Sequence, residues 1–230
     1  MTERQLKNRV SKVFRSIQQQ AKQMRDGFDG SAVHRIRLEF KRLSALLDVL
    51  DDGFPLLDLS GRYKKLKKKY RRLGQYRVAE ILAAQLNKSK RLRAPRRIAA
   101  YKAIKKLRRK AEKHLDARFF KKTARQAKNF EKAMLKSTKN FDLRFFEEWM
   151  VQRANLLHNT NLTALGSEEA VHDFRRKLKH FLFNLEACGK AERKIYERLA
   201  MPPNKADALQ HSLGERHDRA VWQHFLRDLH

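Results

Sequence analysis

One stretch of this chain occurs twice, and it limits the fold more than any other feature. Val33-His34-Arg35-Ile36-Arg37-Leu38-Glu39-Phe40-Lys41-Arg42-Leu43 returns as Val171-His172-Asp173-Phe174-Arg175-Arg176-Lys177-Leu178-Lys179-His180-Phe181. In both copies Arg follows the His by three residues and Lys follows it by seven. On a helix, Val33, Ile36, Phe40, Leu43 and Leu47 make one apolar stripe. His34, Arg37 and Lys41 make a second stripe, about 100° round the axis from the first. The second copy sets Val171, Phe174, Leu178, Phe181 and Leu185 beside His172, Arg175 and Lys179 in the same way. A helix that buries one stripe presents the other, and that other is built to hold an anion. Over about seven residues it runs roughly 10 Å, which suits an extended ligand. Either copy alone reads most simply as a solvated basic flank. The surrounding polar residues diverge, with Glu39 against Lys177 and Arg35 against Asp173, while the His/Arg/Lys stripe is kept. That retention favours a functional stripe.

Charge sharpens the contrast between the copies. The chain of 230 residues carries a formal net charge of +30, so a densely negative partner is expected: a nucleic acid, another polyanion or, less simply, a membrane surface. Residues 1–140 hold 41 Lys+Arg against 12 Asp+Glu, whereas residues 141–230 hold 14 against 13. Residues 60–140 alone supply 30 basic and 4 acidic residues. The second copy keeps its basic stripe in a nearly neutral background and is the more informative of the two.

The rest of the composition points to helices. With 41% hydrophobic residues the chain can bury a core as one large domain or two small ones. Eight Gly, four Pro and few runs of Val or Thr argue against sheet. Cys188, the single cysteine, can form no internal disulfide and is expected in the core on the apolar side of the second motif helix. No apolar run approaches the length of a membrane span and no signal-peptide core follows Met1, so a soluble, cytoplasmic protein is expected.

Taken in order, residues 3–25 read as a helix with Leu6, Val10, Val13, Ile17 and Met24 near one face. A turn at 26–30 leads to the first motif helix, 31–50, with Ser31 as its N-cap, and Asp51 to Pro55 end it. A helix follows over 59–73, with Gly74 as a break or kink before 76–86. A connection rich in Lys and Arg, containing Pro95, then precedes one long basic helix over 96–136. The second half opens with a helix carrying Phe141, Phe145, Trp149 and Leu156. Ser167 caps the second motif helix, 167–188, which Gly189 closes. Helical stretches follow at 195–200 and 206–213, and Gly214 precedes a last helix, 215–229. Nothing here corresponds to the helix 96–136, so the chain divides into a bundle over 1–139 and a shorter one over 140–230.

A second echo lies at nearly the same separation: Leu73-Gly74-Gln75-Tyr76-Arg77-Val78 and Leu213-Gly214-Glu215-Arg216-His217-Asp218. With both echoes in hand, the chain resembles the conserved histidine α-helical domain family, CHAD. That family's mark is a twice-occurring helix of the form His-x-x-Arg with a basic pair, each copy followed by Leu-Gly-x-x-x-Asp. Val78 departs from the pattern where an acidic residue is usual, and His180 stands in place of a second Arg or Lys. The resemblance spans essentially the whole chain. It implies an all-α fold of two pseudo-symmetric antiparallel helical bundles around a central basic groove or pore, and binding of inorganic polyphosphate. It also implies association with polyphosphate granules or phosphate-handling enzymes. The family's motif positions fall here on His34, Arg37, Lys41, Arg42, His172, Arg175, Lys179 and His180. Position and charge add Arg176, Arg77, His217, Lys67, Arg71 and Lys205 as candidates. Arg and Lys suit such a ligand because they bind phosphate oxygens by charge-assisted hydrogen bonds.

No catalytic constellation stands out. There is no Gly-rich phosphate loop, no His-Glu-x-x-His and no cysteine pair, and His211, His217, His224 and His230 are spaced by six and seven rather than three and four. A binding module without cofactor or metal is therefore expected. The competing reading is nucleic-acid binding through the basic surface of residues 60–140. It needs only dispersed surface charge, whereas the polyphosphate reading needs the two stripes.

Overall fold

A computed structural model describes residues 3–53, 59–89, 92–138, 143–188 and 201–229. Among these the chain forms eight α-helices and no strand: α1 (Glu3–Asp26), α2 (Gly30–Gly53), α3 (Leu59–Lys88), α4 (Ala94–Lys113), α5 (Ala117–Ser137), α6 (Leu143–His158), α7 (Glu168–Cys188) and α8 (Pro203–Arg227). The expectations for 195–200 and Gly189, and for the side chain of Cys188, lie outside the described residues.

Apolar spacing explains most of these helices. On α1, Leu6, Val10, Val13, Phe14, Ile17, Ala21 and Met24 are buried along one stripe. On α2, Val33, Ile36, Phe40, Leu43 and Leu47 are all buried as the sequence requires, and on α7 so are Phe174, Leu178, Phe181 and Leu185. Each large apolar side chain taken out of water contributes about 1.5–3 kcal/mol. The apolar stripe therefore decides how α2 and α7 are rotated, and the basic stripe beside it is carried to the edge of the core. On α6 the buried face is Phe146, Trp149, Met150, Ala154 and Leu157, and Leu156 is exposed.

Four local expectations need correction. First, Asp29 rather than Ser31 caps α2, since its carboxylate accepts from the Ser31 amide at 2.8 Å and the Ser31 hydroxyl at 2.7 Å. Those bonds lower the Asp29 carboxyl below its ordinary value. Second, α3 runs through Gly74 without a break, and α8 runs likewise through Gly214. Third, the single helix expected over 96–136 is two helices, α4 and α5, parted at His114-Leu115-Asp116. Asp116 starts the second of them, its carboxylate accepting from the Phe119 amide at 2.6 Å. Fourth, Pro95 lies in the first turn of α4, where its missing N–H costs nothing, not in the connection. Ser167 does cap α7, accepting from the Ala170 amide at 3.1 Å.

The helices assemble around two cores. In the main one, α1 packs on α2 and α5, α2 on α3 and α7, and α7 on α6 and α8. This core crosses residue 140 without interruption, from Leu6, Phe14 and Phe40 through Phe120 to Phe146, Phe181 and Leu213. A smaller core of Leu82, Leu86, Ala100, Ile104 and Trp222 joins the far ends of α3 and α8 to α4. Asp52 ties the end of α2 to α6, accepting from the Trp149 indole at 2.7 Å and from Arg153 at 3.1 Å.

Candidate anion-binding site

Where α2 packs against α7, the two basic stripes meet. Lys41 is half-buried there, and its ammonium is pushed down to about 7 by burial first, with Lys179, Arg37, Arg175 and Arg77 adding to the effect. Lys179 is lowered to about 8, again by burial first and then by Arg175, with Asp218 opposing. Arg77 enters this group from α3, one turn beyond Gly74, with its Nη1 paired to Glu80 at 3.3 Å. Five cations from three helices thus share one partly desolvated region, with Glu80 and Asp218 as the carboxylates that act on it. Gathering like charges out of water is costly unless something opposes them. An anion laid among them would supply the missing charge.

The two arginines are held with care. Arg37 donates from Nη1 to the Tyr70 carbonyl at 3.0 Å and from Nη2 to the Tyr70 hydroxyl at 3.3 Å. Its guanidinium also lies 4.4 Å from the centre of the Tyr70 ring. This close approach to α3 depends on Gly74, where a Cβ would stand 2.8 Å from Arg37 Nη1. Arg175 approaches α8 at Gly214, where a Cβ would stand 3.4 Å from its Nη2. The Arg175 Nε is buried and has no hydrogen-bond partner among the described residues. Asp218, on α8, is lowered by its bond from His217 and further by Arg175 and Arg77, so it stays ionised.

The histidines stand at the rim. His34 is exposed and held below its ordinary value by burial of part of its ring, then by Arg77 and Lys41. His172 is lowered by burial, then by His217 and Arg175, and its ring centre lies 6.3 Å from that of His217. Each is therefore biased toward the neutral form until negative charge arrives.

Of the candidates read from sequence, His34, Arg37, Lys41, Arg77, His172, Arg175, Lys179 and His217 come together. The others do not. His180 is only 8% exposed and its Nδ1 pairs with the Asp48 carboxylate of α2. It bridges two helices from the core side of α7. Arg42 is claimed by carboxylates, pairing with Glu39 at 2.8 Å and Glu186 at 2.9 Å. Arg176 is exposed and pairs with Asp173 of its own helix at 3.4 Å. Lys205 is exposed nine residues before Gly214, which on a helix is about 180° round and roughly 13 Å along α8. Lys67 and Arg71 are exposed on α3; seven and three residues before Gly74 puts them near its face, but neither is among the cations that lower Lys41 or Lys179. Sequence reasoning missed Tyr70 and Glu80 as parts of the site. Tyr70 carried a signal, since four residues before Gly74 is the same face of a helix.

A cavity of about 680 Å³ lies elsewhere, between α1 and α5, and none of the predicted site residues lines it. Among the described residues no group of three His, Cys, Asp or Glu could hold a metal ion, and no helix is long and apolar enough to cross a membrane.

The family model of the CHAD domain matches residues 8–227. The chain belongs to the CHAD family. The matched range takes in all of α2, α3, α7 and α8, and so every cation of the cluster in this CHAD domain. Comparison with curated proteins and with solved structures returned no match.

Proposed function

We propose that this CHAD domain is a non-catalytic binder of inorganic polyphosphate. The observation that carries the reading is the half-buried group of Arg37, Lys41, Arg77, Arg175 and Lys179, in which burial first, and the neighbouring cations after it, push both lysines below their ordinary value. Such a site is relieved by an anion with closely spaced charges, and polyphosphate repeats one at every phosphate. Arginine and lysine meet phosphate oxygens through short, charge-assisted bonds. The buried, unpartnered Arg175 Nε is a donor held in reserve.

The two motif helices are read as the halves of one duplicated unit around a central basic groove. Arg37 against Gly74 answers Arg175 against Gly214, and Arg77 and His217 each stand three residues beyond their glycine. No reaction is assigned: the five cations attract negative charge, and the carboxylates beside them, Glu80 and Asp218, are paired with Arg77 and His217. Cytoplasmic placement and recruitment to polyphosphate granules or phosphate-handling enzymes belong to the same reading. Nucleic-acid binding through the exposed lysines and arginines of α3, α4 and α5 is the second reading, favoured by the exposed Tyr101 and Ile98 on α4. It is the weaker one, because Tyr63 and Tyr76 are buried and Tyr70 holds Arg37. A competition titration at near-physiological salt decides between them. Labelled polyphosphate should stay bound against an equal phosphate concentration of RNA or duplex DNA, and its displacement would hand the function to the second reading.

A further inference from the structure

On the side of α3 turned away from Gly74, a second set of basic side chains converges on a separate cavity of about 250 Å³. Lys69 and Arg72 line it from α3, Lys113 and His114 from the corner where α4 ends, and Arg118 and Lys122 from α5. Lys69 and Arg72 lie about 140–160° round α3 from Gly74, so this cavity and the Arg37–Lys179 group face different directions. We propose that it is a second anion site, for a compact condensed phosphate of pyrophosphate size.

Four observations carry this. The lining basic side chains come from three helical segments and, although all but Lys69 are exposed, they share one concavity. None of them makes an ion pair among the described residues; Asp116 also lines the cavity and acts on Lys69, and its carboxylate already accepts from the Phe119 amide to cap α5. Lys69 sits 4.5 Å from the centre of the Phe119 ring and is lowered by burial first, then by Arg72 and Lys122. The start of α5, a helix of 21 residues, opens at this corner and adds the positive end of its dipole. Organic-ligand pockets begin at about 300 Å³, so the cavity favours a compact anion over a whole nucleotide.

The proposal stands whether or not the central group takes polyphosphate, and the test separates the two. The full-length, ¹⁵N-labelled protein is titrated with pyrophosphate at near-physiological salt, following the amides of Arg118, Phe119 and Lys122. Saturable shifts are expected there, retained in Arg175→Ala/Lys179→Ala and weakened at least tenfold in Arg72→Ala/Lys122→Ala. Arg72 and Lys122 are exposed, so that variant should fold, and Lys113→Ala/Arg118→Ala provides a second pair from the other walls. Three results overturn the proposal: no saturable shift, shifts that survive both pairs of substitutions, or equal shifts from sulfate, which would mean an adventitious ion only. Displacement of pyrophosphate by an abasic oligonucleotide at equal phosphate concentration would give the site to a nucleic-acid backbone and also overturn it.

Discussion

Lys41 shows at the scale of one residue how folding and binding oppose each other here. Its ammonium titrates near 7 in the folded chain, chiefly through burial, against an ordinary value of 10.5. The unfolded chain therefore binds the extra proton between about pH 7 and 10.5, so stability rises with pH across that window, and the penalty is fully present below it. Lys41→Met keeps the bulk and removes the charge. It should stabilise the free protein by about 1–2 kcal/mol at pH 7.5 and flatten the pH dependence of urea unfolding between pH 7 and 9. An unchanged slope, or a less stable variant, would mean that Lys41 is better solvated than its surroundings imply. Polyphosphate should reverse the shift, because a neighbouring anion favours the ammonium. Binding at pH 8 should then take up about one proton, read by calorimetry in two buffers of different ionisation enthalpy, and Lys41→Met should abolish most of that uptake. His34 and His172, also held below their ordinary values, follow the same logic at lower pH. Affinity should rise as pH falls from about 8 to 6, and more steeply than in the His34→Gln/His172→Gln double variant. Identical profiles would make both histidines structural.

At the scale of the helix, glycines in the interiors of α3 and α8 give up about 1 kcal/mol each relative to alanine, and they do so under unequal pressure. Gly74→Ala would put a Cβ 2.8 Å from Arg37 Nη1, so the guanidinium must leave the Tyr70 carbonyl. Its helix-propensity gain is offset by a charged hydrogen bond of about 1.5–3 kcal/mol. Stability should change little or fall slightly, while polyphosphate affinity drops about tenfold. Gly214→Ala meets Arg175 only at 3.4 Å, an ordinary contact. It should stabilise the protein by about 0.5–1 kcal/mol and leave affinity within twofold. Thermal melts and titrations of the two variants side by side check the contrast, and matching behaviour would remove the arginine–glycine contact from the mechanism. Elements were legible in the sequence where their cause is local. The buried stripes of α1, α2 and α7 follow from periodicity, and the cap of α7 follows from Ser167. The break between α4 and α5 was missed because His114 caps the end of one helix and Asp116 the start of the next, with no Gly or Pro to mark the corner. Gly74 was over-read as a break, because Arg37, 37 residues earlier in the chain, is what packs against it. His180 and Arg42 are held by carboxylates for the same reason, since Asp48 lies 132 residues from the one and Glu186 lies 144 from the other. Spacing gives the face of a helix, but not which face the partner helix will neutralise.

Over the whole molecule, the choice is between diffuse charge and placed charge. Nearly all of the +30 lies before residue 141, and much of it is on the exposed surfaces of α3, α4 and α5. A diffuse polyanion binder would be driven by that surface, with affinity set by how many counterions it releases. The Arg37–Lys179 group instead takes two of its five cations, Arg175 and Lys179, from the nearly neutral second half. These differ physically because partly buried cations keep their attraction where solvent and salt cannot screen it, whereas exposed ones act through a field that fades over about 8 Å at physiological salt. Arg175→Ala/Lys179→Ala should therefore weaken polyphosphate binding by roughly 2–4 kcal/mol, taking about 1.5–3 for each charged hydrogen bond and allowing for non-additivity. Lys105→Ala/Lys110→Ala removes the same formal charge from the exposed face of α4 and should cost under about 1 kcal/mol. Matched isothermal titrations compare the pairs, with circular dichroism confirming that each variant remains helical. Repeating them at higher salt adds a second reading: the α4 pair should lose what little effect it has, and the α7 pair should keep most of its own. Equal losses, or a larger loss from the α4 pair, would leave a basic helical surface in place of a site made by two facing helices.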